Sequence, residues 1–189
     1  MSELAWIAEA RRHIGLREVT GVQHNQTIVG WLKRLKAWWS DDETAWCGTF
    51  VAQCLQHGDR GIPKYWYRAK DYLNYGTRLE SPAYGCIVVF ERVGGGHVGF
   101  VVGRDQSGNL MVLGGNQGDA VNIRPFAPSR VAGYRWPSYS TGAISLPNTS
   151  RYNLPTINSN GQVSSNESSL VLGCRTIRPQ PLLSTLRLS

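Results

Sequence analysis

Between Cys86 and Leu113 the chain alternates short apolar runs with turn residues, and this pattern restricts the fold more than any other. Cys86-Ile-Val-Val-Phe-Glu, His97-Val-Gly-Phe-Val-Val-Gly and Leu110-Met-Val-Leu read as strands. They are separated only by Gly94-Gly-Gly and by Asp105-Gln-Ser-Gly-Asn. Connections this short leave no room for a crossover helix, so the strands must be antiparallel neighbours. Ala120-Val-Asn-Ile and Val131-Ala-Gly-Tyr-Arg-Trp extend the set to about five strands.

The first 80 residues carry a helical period instead. Leu4, Ile7, Ala8, Ala10 and Ile14 define one helix, with Ser2 as a cap and Gly15 just past its end. Asn25 caps a second over 26–38, with Ile28, Val29, Leu32 and Leu35 inward. Lys33, Arg34 and Lys36 lie on its outer part as a solvated face. A third helix runs over about 44–56 with an apolar stripe of Phe50, Val51, Cys54 and Leu55, and a shorter helical piece over 65–74. Helices first and strands later predict an α+β fold, helices packed on a small antiparallel sheet.

Composition bounds the rest. With 41% hydrophobic residues in 189, the chain can bury a real core. Seven Trp and eight Tyr are many for this length, enough to fill a core and also line a groove that grips a sugar or peptide. The net charge of +7 favours anionic partners, an anionic wall polymer among them. No aromatic-basic ladder or zinc-finger spacing appears, which argues against nucleic acid. From Ser138 to Ser169 the chain is rich in Ser, Asn, Thr and Gly. Such composition predicts a linker or disordered tail, and so a domain over 1–137 followed by a tail over 138–189. The first residues lack a basic region and long apolar run, so no signal peptide is expected. No stretch approaches the ~20 apolar residues of a membrane span.

Four cysteines, Cys47, Cys54, Cys86 and Cys174, do not form a disulfide framework or a zinc-ligand pattern. Cys47 and Cys54 sit about 10 Å apart along one helix, too far to bridge. Cys54 and Cys86 read as buried small residues. Cys47 falls in the first turn of the third helix, where free N–H groups and partial positive charge favour a thiolate. A cysteine nucleophile needs a base and a group that orients the base. Of four histidines, His97 opens a strand directly after three glycines, where other groups can approach closely. The third strand returns beside it and ends in Leu113-Gly-Gly-Asn116-Gln, which brings Asn116 near His97; Asp119 competes for the same task. Asp41, Asp42 and Glu43 precede the nucleophile as helix caps or as contacts to a substrate amine, and Trp46 walls the cleft or joins the core.

Trp46-Cys47-Gly48-Thr49-Phe50-Val51, Gly96-His97-Val98-Gly99-Phe100-Val101 and Gly114-Gly115-Asn116-Gln117 together resemble the CHAP and NlpC-like peptidoglycan hydrolases, small papain-like cysteine amidases and endopeptidases. The resemblance spans about Leu4 to Trp136 and is closest to the branch found in phage endolysins and in antibacterial toxins delivered between cells. It implies Cys47 as nucleophile, His97 as base and Asn116 as polar third residue, with the Cys47 N–H in an oxyanion hole. Trp46, Asp42 and Glu43 are the candidate substrate contacts. No metal or cofactor is implied. The implied partner is bacterial peptidoglycan in the periplasm or wall, reached with a holin or a secretion system, with an immunity protein in the toxin case. The same machinery could serve a deamidase, protease or acyltransferase acting on a protein, and a chain that lost it could be a wall-binding module.

Overall fold

The computed structural model describes residues 2–92 and 94–158. It is an α+β fold: helices α1 (Ala5–Arg12), α2 (Gln26–Arg34) and α3 (Cys47–His57), then a sheet. The strands are β1 (Thr77–Leu79), β2 (Ile87–Arg92), β3 (Gly95–Arg104), β4 (Leu110–Gly114), β5 (Asn122–Phe126) and β6 (Val131–Trp136). Sheet order is β1-β6-β2-β3-β4-β5, antiparallel throughout. The sheet therefore has six strands, not five. Thr77–Leu79 is three residues long and only pairs with β6, too short to leave an alternating pattern in the sequence.

The hairpins form where the turn residues predict them. β2 and β3 meet with Phe90 opposite His97. β3 and β4 close around Asp105, whose carboxylate accepts the N–H groups of Ser107 and Asn109. That side-chain turn replaces backbone partners the tip would otherwise lack. Because β4 returns along β3, its end comes back to where β3 begins.

α3 is the centre of the molecule. It packs on β3 and β4 on one side and on α1 and α2 on the other, and every residue from Cys47 to Leu55 is buried. The expected one-sided stripe is too narrow a description: a helix covered on all sides reads as apolar all round. Phe50, Val51 and Leu55 have no exposed surface, each contributing about 1.5–3 kcal/mol of apolar burial. α2 is capped as predicted, the Asn25 side chain accepting from the Thr27 and Ile28 N–H groups. α1 starts after Leu4 without a side-chain cap, so Ser2 does not serve as one. The helical piece before β1 is a 3-10 turn, Ala69–Asn74.

The segment read as a linker from Ser138 onward lies against the domain as far as residue 157. Ser138 accepts the Gly61 N–H, a 3-10 turn spans Thr149–Tyr152, and the Ile157 N–H donates to Arg104 at 2.7 Å. Most of its bonds come from backbone, joined by a few side chains: Ser145 Oγ accepts the Trp136 indole N–H, buried Arg151 donates to the Ser2 carbonyl, and Leu154 and Ile157 pack against the core. A composition count cannot register backbone pairing of this kind. The expected tail beyond residue 158, Cys174 included, lies outside the described residues.

Gly103 marks the crossing. A side chain there would fall 2.6 Å from the Pro155 carbonyl and 2.7 Å from Ile157. Gly103→Ala should lift this strap and cost about 1–3 kcal/mol, seen as a lowered midpoint in denaturant unfolding.

Candidate active site

Cys47 is the first residue of α3, and Trp46 is the cap position, with no side chain capping the helix end. The first N–H groups of α3 are thus not consumed by a capping side chain, and the positive end of the helix dipole falls on Cys47. Two contacts fix this end. The Tyr72 hydroxyl donates to the Gly48 carbonyl at 2.9 Å, and the Trp66 carbonyl presses on Gly48 where any side chain would stand. Tyr72 is fully buried, and burial together with the nearby Cys47 pushes its pKa well up, so it remains a donor. Nothing in the sequence around Tyr72 marks this role; it comes from the 3-10 turn that carries it across the helix start.

His97 lies on β3, buried, and belongs to a pile of rings. Its plane is within 7° of Phe126 at 5.5 Å and within 20° of Phe90 at 6.3 Å. The pile fixes the ring plane, and one hydrogen bond fixes its rotation. His97 Nε2 is 3.0 Å from Gln117 Oε1. The Gln117 amide nitrogen donates to the Asn122 carbonyl at 2.8 Å, to Asn122 Oδ1 at 2.9 Å and to the Val112 carbonyl at 3.3 Å. Asn122 in turn donates back to the Gln117 carbonyl at 2.8 Å. With its nitrogen committed to three acceptors, Gln117 can offer His97 only its oxygen. Nε2 must therefore carry the proton, which leaves the lone pair on Nδ1. Burial, with Arg92 and Arg130 adding to it and the Gln117 bond opposing it, lowers the His97 pKa to about 4. At neutral pH the ring is uncharged and Nδ1 carries the lone pair of a base.

Gly114 and Gly115 join the two halves. A side chain on Gly114 would meet His97 Nε2 at 3.3 Å and Gln117 Oε1 at 2.8 Å. One on Gly115 would meet Trp46 and Phe50 at 2.6 Å each. The imidazole and the start of α3 thus flank the same two glycines.

Asn116, the expected partner, does not hydrogen-bond His97. The structure brings Gln117, not Asn116, to His97. Asn116 adopts φ +57°, a conformation Asn tolerates better than most residues, and its buried amide has no hydrogen-bond partner. Asp119 is also at positive φ, and its Oδ1 is buried without a partner. Gln117 was legible only as the residue after Asn116 in the glycine turn. The signal that singles it out, the clasp with Asn122, depends on β4 and β5 pairing Gly114 with Asn122.

The acids before the nucleophile do not cap α3. Asp42 has no exposed surface; its Oδ2 accepts the N–H groups of Val19 and Asn25 at 2.7 Å each, and its Oδ1 lies 3.0 Å from His24 Nδ1. Glu43 accepts the Gly21 N–H at 2.7 Å, and Asp41 accepts the Thr44 N–H at 2.6 Å. Asp42 and Glu43 thus hold the 19–25 loop, and Asp41 holds its own turn, rather than the helix. Trp46 is fully buried, its indole N–H donating to Glu18 at 3.1 Å. Cys54 and Cys86 are buried thiols whose pKa values burial raises, that of Cys86 to about 12. Among the described residues no group of His, Cys, Asp and Glu could hold a metal ion.

Comparison with known proteins adds a likeness over part of the chain. The model of the CHAP domain matches residues 39–116. Over that stretch the chain is similar to a CHAP domain. CHAP domains generally act on peptidoglycan as cysteine amidases or peptidases. No curated protein and no solved structure matches the chain. The CHAP match runs from Trp39 through α3 and β3 and stops at Asn116, one residue before Gln117.

Two outcomes follow from the His97 environment. Gln117→Ala should lower turnover about 100-fold or more with little change in fold, and nitrogen NMR of the ring should show the Nε2–H tautomer lost. The pH effect has a fixed sign. The unfolded imidazole protonates near its ordinary 6.5 while the folded one waits until about 4, so the unfolded chain binds the extra proton in between. Stability should fall on the order of 3 kcal/mol as pH drops through that window and level off below it. Denaturant unfolding against pH measures this, and the His97→Ala chain should lack that component.

Proposed function

We propose that this chain is a peptidoglycan amidohydrolase in which Cys47 attacks an amide carbonyl of the wall's stem peptide. The observation that carries the reading is the Gln117 lock, which leaves the Nδ1 lone pair of a neutral imidazole on the strand packed against the helix that Cys47 opens. The likeness to a CHAP domain supports peptidoglycan as the substrate class.

In this reading the thiol proton passes to His97 Nδ1 as sulfur bonds to the carbonyl carbon. The oxyanion of the tetrahedral intermediate is met by the Cys47 N–H at the start of α3. The imidazolium gives its proton to the departing amine as the C–N bond breaks, leaving a thioester on Cys47. Water, deprotonated by His97, then attacks the thioester, and the thiol leaves with the acyl group released as a carboxylic acid. Gln117 accepts from Nε2–H throughout and so stabilises the imidazolium without moving. Burial of His97 disfavours a resting ion pair, so the charged pair forms as the substrate reacts. The reaction takes place in the periplasm or wall, after release or delivery as a lysin or an antibacterial toxin. In either case a holin or a secretion system provides the route.

Digestion of purified sacculi tests this. The parent protein should release new amine and carboxyl termini, identified by mass spectrometry of the muropeptides, while Cys47→Ala should lower the rate at least ~1,000-fold. Equal release by Cys47→Ala would sink the proposal.

A further inference from the structure

Five aromatic side chains cluster beside the nucleophile, and the outer ones are accounted for neither by the core nor by the chemistry. Trp38 and Trp39 follow α2; Tyr65, Trp66 and Tyr67 precede the 3-10 turn that carries Tyr72. The two segments pack together. Trp38 meets Trp39 and Tyr67 edge-on at 4.6 Å, Trp39 stacks on Trp66 at 5.7 Å, and Tyr65 meets Tyr67 at 6.2 Å. Beneath them Trp66 joins Leu32, Leu35 and Ala52 in a small second core. That base is buried, but the outer rings are not: Trp38 is 52% and Tyr65 39% exposed. Leaving a tryptophan half in water forgoes much of the stabilisation that its burial would bring.

Position and charge say what the surface suits. The Trp66 and Tyr67 backbone presses on Gly48, the residue after Cys47, so the aromatic surface is continuous with the nucleophile's end of α3. Arg68 lies over Tyr65 and Tyr67 at 5.1 and 5.5 Å, and Lys64 lies 5.3 Å from the Tyr65 ring. Neither 31–40 nor 61–70 contains an acidic residue. A surface of flat apolar faces, polar ring edges and fixed cations matches a ligand with apolar faces, hydroxyl edges and carboxylates nearby. A pyranose ring offers a C–H face and a hydroxyl rim, and a glycan strand substituted with acidic peptides adds the anions.

We propose that Trp38 and Tyr65, backed by Trp39, Trp66 and Tyr67 and flanked by Arg68, form a saccharide platform that holds the glycan strand while the attached stem peptide enters beside Cys47. This rests on the peptidoglycan reading above and adds to it that the enzyme recognises sugar as well as peptide. It follows that glycan-bearing stems should be cleaved in preference to the same peptides without sugar.

The test uses the full chain in two states. In Cys47→Ala, which separates binding from chemistry, soluble oligomers of N-acetylglucosamine should perturb tryptophan fluorescence saturably. Adding Trp38→Ala should weaken that binding about tenfold or more, and Trp38→Phe, which keeps a ring face, should restore most of it. In the active chain, Trp38→Ala should lower the ratio of kcat/KM on glycan-bearing muropeptides to that on sugar-free stem peptides by a similar factor. Thermal melts check the fold; if Trp38→Ala melts early, Tyr65→Ala carries the same comparison. Absence of saccharide binding, equal binding by the variants, or an unchanged substrate ratio overturns the platform. A chain that binds the oligomers but releases nothing from sacculi keeps the platform and refutes the hydrolase. One that cleaves both substrates equally well does the reverse.

Discussion

The closeness of α3 to the end of β4 is the constraint on which the rest of the structure depends. Gly115 lies where any side chain would strike Trp46 and Phe50, so the helix can seat against the sheet only because that position is bare. Gly114, one residue earlier, is bare where His97 and Gln117 meet. Two consecutive glycines thus set the spacing between the helix that begins at Cys47 and the strand that carries His97. Everything polar in the site is arranged around a distance that packing has already fixed.

Rigidity on the His97 side has a second source. Phe90 and Phe126 clamp the imidazole plane, and Gln117 sets its rotation. Asn122 sets Gln117 in turn, through a reciprocal pair of side-chain to backbone bonds between β5 and the turn before it. A neutral amide in this place accepts the imidazole N–H without adding a charge that would raise the base's pKa. The buried ring therefore keeps its low proton affinity at rest. On the Cys47 side, Tyr72 and the Trp66 backbone hold the first turn of the helix.

Much of the fold was legible. Short polar turns between apolar runs determined an antiparallel sheet, and Asn25 marked the start of α2. What escaped were features without local periodicity: the three-residue β1, and the strap over 138–157, whose bonds come largely from backbone behind a polar composition. At the site, Cys47 and His97 stood out by helix position and glycine flanks. The partner of His97 did not, because Asn116 and Gln117 are adjacent amides and only three-dimensional pairing with Asn122 separates them. Asp42 misled for a related reason. An acid ahead of a helix reads as a cap, yet this one turns away and gathers the N–H groups of Val19 and Asn25 from a loop about twenty residues earlier in the chain.

The central claim is that Cys47 is a thiol activated by His97, and its chemical reactivity tests this most directly. Alkylation by iodoacetamide at neutral pH, mapped by peptide mass spectrometry, should modify Cys47 ahead of Cys54 and Cys86, whose buried thiols stay protonated. In His97→Ala the Cys47 rate should fall about tenfold or more while the chain stays folded. A Cys47 that reacts no faster than Cys54 or Cys86, or whose rate is indifferent to His97, would contradict the account.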